Sequence, residues 1–266
     1  MVSLGMQSLS TKFQVHLLGD HAIVFKISTG LREGIDQDLL AFTQYIINKK
    51  INGIKDIILA YETLTLIYDI IGFDDNPFFF ANKLLETFIA ESSAIKHTNT
   101  AARLIEIPVC YDPNLGIDIQ TSAIQLNCSI DQLIQLHSEK VYTVYCLGFL
   151  PGFAYMGDVN AAIQLPRHPS PRAKVLAGSV GIAGKQTGIY PIESPGGWQI
   201  IGRTPIKIFD PNSSTLTLLK AGDQRPSLGR RSGHAIADQG DEQRTDPAHL
   251  GDDDPGCRAR SPALAA

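Results

Sequence analysis

The sequence predicts two domains of different class: an α+β N-terminal domain over residues 1–98, then a mainly β, barrel-type domain over residues 99–224. Three observations carry that prediction. The first hundred or so residues interleave short β-rich runs with two runs of helical period, a strand-strand-helix order used twice. After Val141 the chain is dominated by glycine, proline and short β-rich pieces, which suit tight corners and disfavour helices. Composition then changes abruptly near Gln224. Residues 1–224 hold 29 Ile, 12 Lys and 5 Arg, whereas residues 225–266 hold one Ile, no Lys and 6 Arg.

Phe13–Leu18 and Ala22–Ile27 alternate in polarity around Gly19-Asp20, a hairpin signal. Ile35, Leu39, Leu40, Phe42, Ile46 and Ile47 recur at helical spacing, with Gly53 as the expected stop. Ile54–Ala60 and Thr63–Tyr68 make a second β pair. Asn76-Pro77 opens a second helix that runs to about Ala94; proline suits the first turn, where its missing N–H has no intrahelical partner. Lys96–Thr100 is a polar break and linker. A strand is expected over Ala102–Val109, then short helices from Gly116 to about Gln125 and from Ser129 to His137. The second of these opens with the cap-like S-I-D-Q. Tyr142–Leu150 is the next strand.

The balance of 44% hydrophobic and 19% charged residues is that of a chain able to bury a core. A net charge of −4 argues against nucleic-acid binding, which needs clustered Lys and Arg. No run reaches the roughly 18 apolar residues of a membrane span. The start lacks the basic and apolar regions of a secretory signal, so the expected location is the cytoplasm. Cys110, Cys128, Cys146 and Cys257 are far apart and read as thiols rather than as disulfide or zinc ligands. The histidines never fall at i, i+4 spacing with a glutamate, and no metal site is expected.

The informative stretch is Y-C-L-G-F-L-P-G-F-A-Y-M-G (Tyr145–Gly157), L-P-R-H-P-S-P-R (Leu165–Arg172), A-G-S-V-G-I-A-G-K-Q-T-G-I-Y-P (Ala177–Pro191), S-P-G-G-W (Ser194–Trp198) and I-G-R-T-P (Ile201–Pro205). So many glycines fit special dihedrals or close backbone approach to a ligand. Phe149, Phe153, Tyr155, Tyr190 and Trp198 lie among them, with Arg167, Arg172 and Arg203. Guanidinium binds carboxylate bidentately, so an aromatic cleft with arginines suits a small acid. Taken singly, each ring also fits a barrel core and each arginine an ordinary ion pair.

In this order, these words resemble the signature of the B subunit of bacterial ATP-dependent 5-oxoprolinase, of carboxyltransferase-domain subdomain C and D type. The family is also labelled allophanate hydrolase subunit 1 and includes the kinase inhibitor KipI. L-G-D at Leu18–Asp20 and I-P-V-C-Y at Ile107–Tyr111 fit too, and the resemblance covers about Phe13 to Gln224. It implies that the second domain is a cyclophilin-like β-barrel. It also implies partners: a C subunit of the allophanate hydrolase subunit 2 type and an A subunit of the LamB/YcsF type. The implied reaction opens 5-oxo-L-proline to L-glutamate with ATP hydrolysis by the complex. Which of the subunits holds ATP stays open, and the chain alone is expected to be inactive. Residue chemistry and motif position assign Arg167, Arg172 and Arg203 to anion binding, substrate carboxylate or phosphate. They assign Gln186 and Tyr190 to orienting polar groups, and Phe153, Tyr155 and Trp198 to the walls. His168 is a candidate acid or base, against the reading of an ordinary loop histidine; the catalytic residues are otherwise open.

Other readings compete. A KipI-like inhibitor of a sensor histidine kinase shares the architecture. A peptidyl-prolyl isomerase follows from fold analogy alone. A phosphate loop at Gly184-Lys185 fails, because position 179 is Ser179 rather than glycine and Gln186 stands where Ser or Thr should hold Mg²⁺. Ser179 and Ser194 are nucleophile candidates outside any G-x-S-x-G context. Residues 225–266 fit either a natural tail or a foreign or frame-shifted appendage. They show no alternating apolar pattern, and Pro226 cannot donate to a ladder. They are therefore expected not to supply the strand that should follow Leu219–Asp223, leaving a barrel edge unpaired.

Overall fold

The computed structural model describes residues 12–28, 35–71, 76–92 and 103–225. The chain forms two compact units, Met1–Ala102 and Arg103–Ala266. Both are built on antiparallel sheets, and the whole is mixed α/β.

Unit 1 holds β1 (Phe13–Leu18), β2 (Ala22–Ile27), α1 (Gln37–Lys49), β3 (Ile54–Ala60), β4 (Thr63–Tyr68) and α2 (Pro77–Ser92). The sheet order is β1-β2-β4-β3. Alternation puts Ile23, Phe25, Ile27, Leu64 and Leu66 on the buried face. On α2 the buried residues Ala81, Leu84, Leu85, Phe88 and Ile89 follow the i, i+3, i+4, i+7, i+8 rule. Phe42 of α1 ties the layers together, with ring centroids 4.9 Å from Phe25 and 4.8 Å from Phe88. Asp36 caps α1 by accepting from Asp38 N–H at 2.9 Å. Gly53 is the expected stop, yet α1 ends three residues earlier: Lys50 takes the left-handed conformation (φ 46°) and its N–H reaches the Ile47 carbonyl. The expected end of α2 near Ala94 and the linker Lys96–Thr100 lie outside the described residues.

Unit 2 holds α3 (Ile119–Gln125), α4 (Ile130–Ser138), β5 (Tyr142–Leu147), β6 (Ala154–Gly157), β7 (Arg172–Val175), β8 (Ser179–Ala183), β9 (Gln186–Ile189), β10 (Ser194–Gly196), β11 (Gln199–Arg203) and β12 (Gln224–Arg225). Six strands form one sheet in the order β11-β8-β9-β6-β5-β12, and β7 pairs with β10. No strand-to-strand ladder closes the six-stranded sheet among the described residues. Instead, one segment reaches both of its edges. Leu104 bridges Gln224 on β12, and Cys110 bridges Arg203 on β11. The second bridge has both hydrogen bonds, Cys110 N–H to Arg203 at 2.8 Å and Arg203 N–H to Cys110 at 2.9 Å. The expected strand Ala102–Val109 is therefore a seam with a bridge near each end. Ile105, Ile107 and Val109 point from it into the core.

Three further expectations are corrected. The helix expected from Gly116 starts at Ile119, because residues 112–116 form a turn on the Asp112 carbonyl. The strand expected to reach Leu150 stops at Leu147, because Phe149 adopts φ 68° and the chain reverses. The β5 edge is not bare: Gln224 and Arg225 pair with Thr143 and Tyr142, and Val144 N–H donates to Asp223 at 2.9 Å. Arg103 locks this return by donating to both oxygens of Asp223, at 3.2 and 2.6 Å. The remaining tail, 226–266, lies outside the described residues. The S-I-D-Q cap forms as a full capping box on Ser129 and Gln132.

Candidate functional site

Glycine pairing in the sheet explains why the aromatic residues gather. Gly181 on β8 lies directly across from Gly188 on β9. A methyl group on Gly188 would come within 3.0 Å of both the Phe153 and Trp198 rings, and one on Gly181 within 3.0 Å of Trp198 Cβ. These glycines clear the sheet surface for rings rather than for a ligand. Phe153 sits at the centre, its ring centroid 5.1 Å from Tyr190, 5.4 Å from Trp198 and 4.8 Å from Tyr155. Phe153, Tyr190 and Trp198 are 1%, 1% and 3% exposed. They pack on one another with Val175 and Ile200 as a small core. The expected walls thus fill their own space, and only Tyr155 and the projecting Phe149 keep appreciable exposed surface.

The polar groups sit at the margin of this ring cluster. Arg167 stacks over Trp198, its guanidinium carbon 5.8 Å from the ring centre, and is otherwise exposed. The pairing of β7 with β10 brings P-S-P-R against S-P-G-G-W, with Gly196 opposite Arg172. His168 N–H donates to the Gly197 carbonyl at 2.7 Å. Burial pushes the Tyr190 hydroxyl up from its ordinary value, opposed by a hydrogen bond from Trp198 N–H and by Arg167 and Arg172. Burial likewise raises Tyr155, with Arg167 opposing.

Asp118 is the residue that sequence reasoning missed. Its carboxylate is buried, with 5% side-chain exposure. Oδ1 accepts from Arg172 Nη2 at 2.5 Å, and Oδ2 accepts from Ile200 N–H at 2.7 Å. Asp118 N–H returns a bond to the Ile200 carbonyl at 2.8 Å. His168 Nε2 lies 3.3 Å from Oδ2. The helix expected from Gly116 would contain Asp118; in the fold Asp118 stands just before α3 and makes no side-chain cap bond, because its oxygens face β11 and β7 instead.

Two predicted residues make other contacts. Arg203 donates from Nε to the Ala177 carbonyl at 2.8 Å and so braces the turn before β8. The sequence reading groups Gln186 with Tyr190, but Gln186 is at the opposite end of β9 from Tyr190, beside Gly157. The strand rise of about 3.3 Å per residue sets them roughly 13 Å apart along the backbone. Ser194 donates its hydroxyl to the Pro195 carbonyl at 3.1 Å, and among the described residues neither it nor Ser179 has a side-chain bond to a histidine or carboxylate. A shallow depression lined by Ile46, Ile47, Ile51 and Ile54 lies on unit 1, away from these groups in sequence and in unit.

Comparison with known proteins places this architecture. A mixed α/β chain of two antiparallel units, with this loop cluster on the second, matches the model of one family over residues 13–219: carboxyltransferase domain, subdomain C and D. The chain belongs to that family. It is 37% identical over 222 residues to the 5-oxoprolinase B subunit of Bacillus subtilis (strain 168), covering 81% of this chain and 92% of that one. It is 41% identical over 187 residues to the 5-oxoprolinase B subunit of Haemophilus influenzae, covering 70% and 84%. The crystal structure of TTHA0988 superposes with a TM-score of 0.66 at 32% identity, over 82% of this chain. This chain spans 41% of that longer one.

Proposed function

We propose that this chain is the B subunit of a 5-oxoprolinase, a hydrolase that works as a complex. The observation that carries the reading is the match to subunits of that name at 37% and 41% identity, running over most of both chains. The enzyme opens the lactam of 5-oxo-L-proline to L-glutamate, and ATP hydrolysis by the assembled complex drives it. A lactam is a stable amide, so phosphorylation of its oxygen would activate the carbonyl for water. Partners are a C subunit of the allophanate hydrolase subunit 2 type and an A subunit of the LamB/YcsF type, and the chain alone does not turn over. No described helix is long and apolar enough to cross a membrane, and the cytoplasm is the proposed location. A KipI-like regulatory role is not favoured, since the named relatives are enzyme subunits.

Within unit 2, the reading assigns anion binding to Arg167 and Arg172, with Tyr155 and Tyr190 beside them. Arg203 then serves to shape the loop. The seam at Leu104 and Cys110 supports a cyclophilin-like barrel as the plan of this sheet. The deciding experiment is co-expression with candidate A and C subunits, followed by an assay of 5-oxoproline-dependent ATP hydrolysis and glutamate release. Activity of the mixture but not of the isolated chain is expected. Robust turnover by the chain alone, or none by any mixture, would refute the reading.

A further inference from the structure

Three buried side-chain polar atoms among the described residues have no hydrogen-bond partner, and two of them belong to residues that meet the same carboxylate: His168 Nε2 and Arg172 Nη1. Arg172 is anchored through its other nitrogen, Nη2, on Asp118 Oδ1 at 2.5 Å. His168 Nε2 is 3.3 Å from Asp118 Oδ2, close but not aligned as a hydrogen bond. A neutral imidazole carries one N–H and one lone pair. A lone pair on Nε2 would confront a buried carboxylate oxygen, which is repulsive. A proton there is attracted, and a small ring rotation completes the bond. Such bonds are often long before substrate arrives. The carboxylate has room, since it offers about four acceptor sites and the described donors, Arg172 and Ile200 N–H, take two.

We propose that Asp118 is the positioning residue of the site: one oxygen fixes the Arg172 guanidinium, and the other holds His168 as the tautomer protonated on Nε2, leaving Nδ1 as a proton-free acceptor. The part this arrangement plays in the reaction rests on the function proposed above; the tautomer assignment does not.

Two measurements separate the two. In the full chain with ¹⁵N-labelled histidine, long-range ¹H–¹⁵N spectra at alkaline pH read the His168 tautomer, with signals assigned by their loss in His168→Gln. Essentially complete Nε2 protonation is expected, relaxing in Asp118→Ala to the tautomer mixture of a histidine side chain free in solution. A bare Nε2 in the parent chain overturns the proposal, whether or not the variant folds; so does an identical tautomer ratio in the folded variant. In the reconstituted complex, His168→Gln and Asp118→Ala should each lower kcat by on the order of 10²-fold. Parent-like kinetics in both variants would overturn the positioning role while leaving the subunit assignment standing. Failure of every complex to turn over would instead remove the subunit assignment, with the spectra still deciding the proton.

Discussion

Replacing His137 tests whether the centre of unit 2 is held by a polar network rather than by apolar packing alone. His137 is 0% exposed, and Nδ1 and Nε2 each lie 2.8 Å from a hydroxyl, Tyr111 and Thr187 respectively. The Thr187 hydroxyl donates its hydrogen to the Gly181 carbonyl at 3.1 Å, so its oxygen must accept from Nε2–H. Nδ1 is then the acceptor for the Tyr111 hydroxyl. His137→Leu keeps much of the volume but takes that acceptor from Tyr111, a cost of about 1–3 kcal/mol, and loses the bond to Thr187, about 1 kcal/mol more. The expected total is about 2–4 kcal/mol, a large share of the roughly 5–15 kcal/mol that holds a typical domain. Tyr111→Phe alone removes the donor to Nδ1, for about 1–3 kcal/mol. Combining the two leaves neither group stranded, so the double variant should be more stable than the sum of the singles predicts by about 1–2 kcal/mol. Urea unfolding followed by tryptophan fluorescence is the assay. The chain has one tryptophan, Trp198, buried in unit 2, so the signal reports that unit alone. Additivity within about 0.5 kcal/mol would show that the proton arrangement deduced above is wrong.

Other outcomes follow from the same contacts. Gly188→Val places a branched chain where even a methyl group comes within 3.0 Å of Phe153 and Trp198, and should cost about 1–3 kcal/mol with a shifted Trp198 emission; an unshifted spectrum at parent stability would show that the rings have room to spare. Asp118→Ala should lower unit 2 stability by about 1–3 kcal/mol, chiefly because the buried Ile200 N–H loses its acceptor; a urea midpoint equal to the parent's would contradict that bond. Arg203→Lys keeps the charge but has no Nε to reach Ala177, so the fold should weaken by about 1 kcal/mol while kcat of the complex is retained; a selective loss of kcat would return Arg203 to the anion site. Tyr155 and Tyr190 are both raised by burial, so the folded state holds these protons longer than the unfolded chain does. Their stabilisation is complete below the ordinary tyrosine value near 10 and declines as pH climbs through and beyond it, visible as a falling urea midpoint at alkaline pH.

The amino-acid sequence by itself determined the elements whose cause is local. The 81, 84, 85, 88, 89 stripe of α2, the hairpin at Gly19-Asp20 and the capping box at Ser129 each depend on residues a few positions apart, so periodicity and capping rules reach them. It also placed Arg167, His168 and Arg172 in one short stretch. Tertiary structure alone decided what those residues meet. Asp118 reaches Ile200 across 82 positions and Arg172 across 54, and Arg103 reaches Asp223 across 120. Gly181 and Gly188, in the stretch that reads as an approach to a ligand, give clearance to Trp198 and Phe153, because those rings come from the segments just before β11 and β6. The strand expected over Ala102–Val109 became a seam between two sheet edges, since nothing within those eight residues states how far apart the edges lie. A buried carboxylate is fixed by donors that only the fold supplies; local sequence records its charge, and the packing around it decides whether that charge caps a helix or holds an arginine.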